Sequence, residues 1–534
     1  MEKYDVAIIG GGINGVGIAR DLSMRGFKVI LFEKEDFGWA TTWASSCMVH
    51  GGARYIIHDI FVTYTSSRDA GVLTRIVPYM LSRRPFIVVT KPKFMTTLFD
   101  IYMGVYDIFS RMRGAVRHMR LKPDEVSYMT AGEVYANGGG VLTEEYTVDP
   151  QRLALVNAIS AHEFGAKILN HTEVIKIEKE REVGNFIIHA KNLLYNSETK
   201  VGARLVVNAS GPWIDKVISN SLGKQQKNKL RPTKGIHIVF PGKILNSVIS
   251  FQAIDGRYLL FVPLEDRTIL GTTDDDFFGD PDDVEILRDE VEYLLHSAEK
   301  FIKNIRSFKP YSTKVGLRPT PYVYGVNEDK ITREFEIEDE DGIIHVLGGK
   351  LASFRLLSEI VSDFISRKFG VRTKCKTHIL PLPGADDIDE RFDGNFVAYS
   401  EKVKGRIKDE FNLDDQVAHL LTKKYGVRAL EILKTFGLGE LICYCSKVFE
   451  GEIKWAIKRE FAETVNDVSR RTWACDGFCN GILCMKKVQQ ILENEGKNPD
   501  HKNFVLWREK LLYPVRKYNE ELWNEFEEFK RKVL

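Results

Sequence analysis

The 534-residue sequence contains no run of about 18 apolar residues, so no segment of it is long and greasy enough to cross a bilayer as a helix. It has almost no net charge. Its 76 Lys and Arg face 74 Asp and Glu, leaving +2, which provides no long-range field for gathering nucleic acid. Repeats and low-complexity tracts are missing, which excludes solenoid arrays and a largely disordered chain. The start, Met1-Glu2-Lys3-Tyr4-Asp5, leads into an apolar run too short and too charged at its entrance for a signal peptide, so a cytoplasmic location is expected. Cysteine is scarce and unevenly placed. Cys47 and Cys375 stand alone, whereas Cys443, Cys445, Cys475, Cys479 and Cys484 crowd together, and clustering in a cytoplasmic chain favours metal over disulfides.

What is present begins with a βαβ pattern. Val6-Ala7-Ile8-Ile9 is a continuous apolar β-prone run that leads into Gly10-Gly11-Gly12-Ile13-Asn14-Gly15. Gly10 permits a tight turn, Gly12 lets backbone approach a pyrophosphate, and Gly15 allows close packing of a helix through Ile18, Ala19 and Leu22. Gly26 ends that helix, Lys28–Phe32 reads as the next strand, and Glu33 at its tip can accept hydrogen bonds from a ribose diol. The unit specifies a dinucleotide without separating FAD from NAD. Two later strands, Leu205–Asn208 leading into Ala209-Ser210-Gly211, and Ile343–Leu347 leading into Gly348-Gly349-Lys350, suit an extended FAD. A chain of this length implies two to four domains, and Pro381-Leu382-Pro383-Gly384 is the best boundary signal. After it, Gln416–Leu433 reads as one helix.

In order along the chain, Gly10–Gly15, His50-Gly51-Gly52-Ala53-Arg54-Tyr55, Lys234-Gly235-Ile236-His237, Gly271-Thr272-Thr273-Asp274, Gly316-Leu317-Arg318-Pro319 and Gly348-Gly349-Lys350-Leu351 resemble FAD-dependent glycerol-3-phosphate dehydrogenase. The resemblance runs from Met1 to about Arg355, and the cysteine region is similar to the C-terminal domain of the anaerobic enzyme's catalytic subunit. It implies a D-amino-acid-oxidase-like α/β fold: a Rossmann-like FAD-binding domain (about 1–75, 145–215 and 335–375) with an inserted antiparallel-sheet substrate domain (about 76–144 and 216–334). A linker and helical region (376–440), an iron-sulfur domain (441–490) and a helical tail (491–534) would follow. It further implies FAD contacts from Gly10, Gly12, Ile13, Asn14, Gly15, Glu33, Lys34, Thr41, Thr42 and Ser45, and from Val174, Ala209, Gly211, Gly349, Lys350 and Leu351. One departure is Cys47, where aerobic members carry a lysine; a small buried cysteine is the expectation there, without a role.

Oxidising a secondary alcohol requires a proton acceptor for the hydroxyl and a positive environment while hydride leaves carbon for flavin N5. His50 and His237 are the acceptor candidates. Arg54, Arg318, Arg333, Lys350 and Arg355 could supply cations for a phosphate dianion. With the resemblance added, His50, His237 and Arg318 are the expected catalytic residues, and Arg54, Tyr55, Arg318, Arg333 and Lys350 the expected substrate contacts. The substrate so implied is sn-glycerol 3-phosphate; a 2-hydroxy acid such as 2-hydroxyglutarate, an amine, direct use of oxygen, and a non-catalytic electron-transfer subunit are the rival readings.

Cys443-Tyr444-Cys445 and Cys479–Cys484 give CxC and CxxxxC pairs around a helical segment, Glu452–Arg459, so four thiolates can converge on zinc or an iron-sulfur cluster. The pattern, with Arg470-Arg471-Thr472 before it, resembles the bacterioferritin-associated-ferredoxin [2Fe-2S] domain, which implies Cys443, Cys445, Cys479 and Cys484 as ligands and Cys475 as a fifth thiol without an obvious duty, with a swap of ligand role between Cys475 and Cys479 as the alternative. By the same similarity the partners are other flavin or iron-sulfur subunits leading to a membrane quinone, with the chain at the inner face of the membrane through them. Leu98–Phe109, apolar between Arg83-Arg84 and Arg111-Met112-Arg113, fits a membrane-interface segment or a helix packed inside the substrate domain, and its two aspartates favour the packed helix. Leu522–Leu534 reads as an amphipathic helix docking on this chain or a partner.

Overall fold

The computed structural model describes residues 1–56, 59–180, 185–223, 228–322, 335–389 and 391–534. The strand Glu2–Ile9 lies between Val29–Phe32 and Ser197–Asn208, parallel to both, and Ile343–Leu347 continues the parallel order. Ile9 pairs with Phe32 and with Asn208, and Asn208 with His345, so the carboxyl ends of these strands finish level. That edge is where open α/β sheets bind ligands. Helices Ile13–Met24, Pro150–Glu163 and Phe354–Phe369 pack together on this sheet. The fold is the expected one, with a Rossmann-like sheet and a second sheet carried by insertions.

Among the described residues the second sheet has ten strands. Thr233–Pro241 stands at its centre of function, flanked antiparallel by Arg267–Gly271 and Ser312–Arg318. It is not wholly antiparallel as expected. Val248–Gln252 runs parallel to Ser82–Thr90, because these two strands come from separate insertions and meet without a hairpin between them.

The C-terminal region differs from the sequence reading in one helix. Gln416–Leu433 forms two helices, Asp415–Tyr425 and Arg428–Phe436, because Gly426 sits at φ 56° where a β-carbon would lie 1.9 Å from the Gly384 carbonyl oxygen. Pro381–Gly384 is itself packed: Tyr79 donates to the Pro383 carbonyl at 2.6 Å, and Leu382 N–H to Ile76 at 2.7 Å. The last helix, Glu520–Val533, docks on this chain through Leu522, Phe526 and Phe529.

Leu98–Phe109 lies in the helix Lys93–Ser110, which packs on the protein along one face only and so is not the interior helix expected. Thr96, Met103, Tyr106 and Ser110 form its buried stripe. Phe94, Leu98, Ile101, Val105 and Ile108 point outward, 41–69 % exposed. No described helix is long and apolar enough to cross a membrane.

Candidate functional site

At the end of Glu2–Ile9 the chain turns at Gly10, φ +105°, where a β-carbon would meet the Ala209 carbonyl oxygen at 2.6 Å. Gly15 packs under the turn, with space for no side chain against the Gly10 oxygen at 1.9 Å. Gly12 caps the helix Ile13–Met24 in extended conformation, and a β-carbon there would touch only the Thr42 hydroxyl, at 3.7 Å. Thr42 accepts from Ile13 N–H at 3.1 Å, which holds the Thr41–Ser45 loop over the helix start. Open backbone at a helix N-terminus is a pyrophosphate cradle.

The turn opens into a cleft of about 1590 Å³, open to solvent. Gly10, Gly12, Ile13 and Asn14 line one end, with Glu33, Lys34, Thr41, Thr42 and Ser45 beside them. Val174, Ala209, Gly211, Gly349, Lys350 and Leu351 line the cleft as well. Gly15 alone of the expected FAD contacts lies beneath the cleft and not on its wall. Glu33 accepts from Gly11 N–H at 2.6 Å and Glu35 N–H at 2.9 Å; burial pushes its carboxyl up to about 7. Asn14 donates to the Gly348 carbonyl at 3.2 Å, and its amide oxygen is buried without a partner. A buried acceptor left over in a cleft walled by glycine backbone fits an absent dinucleotide, so the residues fit FAD. Trp39 and Trp213 also line the cleft, 6.5 Å apart, and Lys34 stands over the Trp213 ring at 4.5 Å. Neither tryptophan was foreseen, since no local motif marks them.

On the second sheet, His237 is buried and lies opposite Gly271 and Lys314. A β-carbon at Gly271 would strike the His237 ring at 2.4 Å, so this glycine makes room for the imidazole. His237 Nε2 bonds to the Ser46 hydroxyl at 3.0 Å, while Nδ1 has no partner. Burial, then the charges of Lys314 and Arg318, push its pKa well below the usual histidine value and keep it neutral. Arg318 is held by Asp274 at 2.8 Å, the Thr272 hydroxyl at 3.0 Å and the Thr273 carbonyl at 3.1 Å. Gly235 leaves space for that guanidinium, since a β-carbon would sit 2.5 Å from it. Thr41 donates to the Leu317 carbonyl at 2.6 Å, which ties the cradle loop to the strand bearing Arg318.

His50 belongs to a second group. Its Nδ1 accepts from Gly52 N–H at 3.1 Å, its ring stacks on Tyr55 at 6.4 Å, and Lys350 lies over Tyr55 at 4.1 Å. Beneath it, Glu145 accepts from Gly51 N–H at 3.2 Å, from the Tyr106 hydroxyl at 2.8 Å and from Arg113, which fixes the His50 loop. Arg333 and the Arg54 side chain lie outside the described residues. Arg355 is not a substrate cation: it is buried and paired with Asp69 at 2.9 Å and Glu359 at 2.6 Å. Among the described residues, Glu359, Cys375 and His378 form a cluster whose ligand atoms gather within 4.8 Å, and Arg355 stands against it, paired with Glu359 and 4.0 Å from the Cys375 sulfur. Lys314 was missed by the sequence reading. Its ammonium lies 3.4 Å from the sulfur of buried Cys47, so an amine reaches that spot from the sheet instead of from the loop.

The five clustered cysteines converge. Cys445 and Cys479 are 3.6 Å apart and Cys475 and Cys484 3.4 Å apart. Cys443 bridges them, its sulfur held well below the usual thiol range by hydrogen bonds from Cys445 and Cys484. The fifth thiol, Cys475, is thus inside the cluster. Left-handed backbone at Trp473, Cys475, Asn480 and Gly481 folds the loop back on itself to bring the sulfurs together.

Cradle, cleft and facing histidine-arginine sheet define an FAD-dependent oxidoreductase. Residues 5–354 match the FAD dependent oxidoreductase family and residues 375–500 the C-terminal domain of alpha-glycerophosphate oxidase. The chain is 32% identical over 460 residues to aerobic glycerol-3-phosphate dehydrogenase of Staphylococcus aureus, covering 81% of this chain and 79% of that one. It is 29% identical over 519 residues to glycerol-3-phosphate dehydrogenase of a Synechocystis strain, covering 92% of each. In structure it is similar to the FAD-complexed glycerol-3-phosphate dehydrogenase of Bacillus halodurans, with a TM-score of 0.71, 21% identity, and 98% and 95% coverage. The chain belongs to the FAD-dependent glycerol-3-phosphate dehydrogenase family.

Proposed function

We propose that the protein oxidises sn-glycerol 3-phosphate to dihydroxyacetone phosphate and passes the electrons through a [2Fe-2S] centre to partner subunits and a quinone-type acceptor. The observation that carries the substrate reading is Arg318, oriented by Asp274, Thr272 and Thr273 beside a histidine kept neutral. Bound FAD would supply the hydride acceptor. Arg318 and Lys350 would hold the phosphate dianion, with Arg54, Tyr55 and Arg333 as further contacts. His237, uncharged, is in the state that accepts a proton from the hydroxyl, and the arriving dianion offsets the cations that now depress its basicity. His50 is the alternative acceptor, oriented by Gly52.

The thiol arrangement supports a two-iron cluster over zinc. A tetrahedral zinc at about 2.3 Å from each sulfur needs all its sulfurs within roughly 4 Å of one another. Among the described residues no three of these cysteines gather within 4.8 Å, and they form a string with a close pair at each end. The resemblance assigns Cys443, Cys445, Cys479 and Cys484 as ligands.

The test is anaerobic titration. Glycerol 3-phosphate should bleach the flavin band near-stoichiometrically while 2-hydroxyglutarate leaves it unchanged; an unbleached flavin refutes the substrate. Iron with labile sulfide in the purified protein supports the cluster, and zinc in its place overturns it.

A further inference from the structure

We propose that Cys47 and Lys314 are a modification site: on oxidation they join through a sulfur–nitrogen bond, reversible by thiols, that fastens the cofactor loop to the substrate sheet. The inference stands apart from the substrate and cluster readings. The Lys314 ammonium donates to the Cys47 sulfur at 3.4 Å and to the Ser45 carbonyl at 3.4 Å, and it stands 5.4 Å from the centre of the Trp43 ring. Both residues are buried, Cys47 being 3 % and Lys314 7 % exposed. Among the described residues Lys314 makes no ion pair. A cation buried without a carboxylate is costly, and a neutral nitrogen–sulfur bond removes that charge. Cys47 also has left-handed backbone, φ 58°, which residues with a β-carbon rarely adopt, and its carbonyl is pinned by Val148 N–H at 2.9 Å.

The other thiols have different neighbours. Cys375 faces the Thr377 hydroxyl at 3.0 Å and the Arg355 guanidinium at 4.0 Å, and the clustered thiols face one another. Cys47 faces an amine, which is a nucleophile on a flexible stem. Access is through a solvent-open cavity of about 890 Å³ where the cofactor loop, the second sheet and the C-terminal region meet; Cys47 and Lys314 line it with Trp43, Gln151, Tyr311 and Trp473. Hydrogen peroxide is the oxidant. The thiol takes one peroxide oxygen to become a sulfenic acid, and the other oxygen leaves as water. Lys314 then releases one proton to solvent and attacks the sulfur with its lone pair, and the displaced hydroxyl leaves as water with a second lysine proton. Two electrons have passed from sulfur to peroxide, and the product is a sulfenamide. Two equivalents of a reducing thiol return the free pair.

The bond would tie two functional elements together. Cys47 follows Ser45 of the cleft wall, and Lys314 shares the strand Ser312–Arg318 with Arg318. Hydrogen bonds from Thr41 to the Leu317 carbonyl and from Lys314 to the Ser45 carbonyl already join these elements, and a covalent tie would keep the loop closed over bound FAD. It would also erase one of the two charges that add to burial in keeping His237 neutral.

The experiment treats the FAD-loaded full chain with a small excess of hydrogen peroxide, digests it with trypsin without reductant and analyses the peptides by mass spectrometry. The expected species joins Glu35–Arg54 to a fragment in which Lys314 is uncleaved, two hydrogens lighter than their sum. Dithiothreitol should reverse it, and Cys47→Ser and Lys314→Gln should lack it. FAD release, read by fluorescence, should slow several-fold in the oxidised parent and recover with dithiothreitol. Cys47→Ser, with basal flavin reduction unchanged, should release FAD equally before and after peroxide, although its clustered thiols meet the same oxidant. Cys47 carried on to sulfinic acid with Lys314 cleaved, a disulfide from Cys47 to another cysteine, or no change at either residue overturns the cross-link. Cross-linked protein that releases FAD at the original rate overturns the fastening. Failure of glycerol 3-phosphate to reduce the flavin leaves the peptide result unaffected, so the two readings fail separately.

Discussion

Arg471 meets Asp36 side-on, with two N–H donors 2.7 and 2.8 Å from the two carboxylate oxygens and both side chains buried. Asp36 lies three residues past Glu33, a residue of the cleft wall, and Arg471 lies four residues before the first thiol of the 475–484 loop. The sequence marks Arg471 only as part of a motif near the cysteines. The structure makes it a clamp between that region and the cofactor loop.

Arg471→Ala should therefore destabilise the protein by about 3 kcal/mol, because buried Asp36 loses both Arg471 bonds and keeps only the single contact to Arg470 at 3.2 Å. Thermal unfolding of the FAD-loaded protein measures it. Flavin release should accompany the loss; an unchanged melting temperature would remove the clamp from the account.

His171 faces Asp467 at 2.8 Å from the same interface. Burial works against its charge, but Asp467, with Asp36 and Glu35 behind it, raises its pKa to about 9. The unfolded value is near 6.5, so the folded state binds the extra proton, and this stabilisation is complete below about pH 6.5 and is lost as pH rises through 9. Melting temperature should fall between pH 7 and 9.5 more steeply in the parent protein than in His171→Gln, in which Asp467 loses its cation. Parallel curves would show that this pair does not titrate as described.

Glu33 carries the opposite kind of shift. Its carboxyl, raised to about 7 by burial, must ionise to accept both ribose hydroxyls. FAD binding by apoprotein should tighten by about tenfold between pH 6 and pH 8, following the ionised fraction. Fluorescence quenching of FAD reads the affinity, and Glu33→Gln should bind more weakly and without this dependence.

Gly271→Ala inserts a methyl 2.4 Å from the His237 ring. The imidazole must move, and displacement of a reacting group by about 1 Å costs on the order of a hundredfold in rate. Flavin reduction should slow accordingly with FAD content unchanged. Full-rate reduction would take His237 out of the reacting site.

Cys479→Ser should lower bound iron while the flavin spectrum persists. Cys475→Ser separates the two close pairs: retained iron keeps the CxC and CxxxxC ligand set, and lost iron transfers a ligand role to Cys475.

The FAD turn was legible because its requirements are local: Gly10 and Gly15 are dictated by backbone a few residues or one strand away. The strand ends at Asn208 and Leu347 were legible for the same reason. What escaped depends on distant partners. Gly426 breaks a helix because the Gly384 carbonyl is there, 42 positions upstream. Lys314 meets Cys47 across 267 positions, and Asp274 orients Arg318 across a sheet. The outward face of Lys93–Ser110 was present as a periodic row, but which side faces the core is decided by Glu145 and Gly51 and not by the row itself.

The region after Pro381 is joined to the flavin half by matched charges and by edge-to-face ring contacts, Phe461 with Phe37 and Phe396 with Tyr146. A protease cut or gene truncation near residue 390 would uncover those rings and unpair Asp36 and Arg152. The two halves therefore share one fate in the cell: the flavin half could not be inherited, expressed or recruited alone without becoming an aggregation risk.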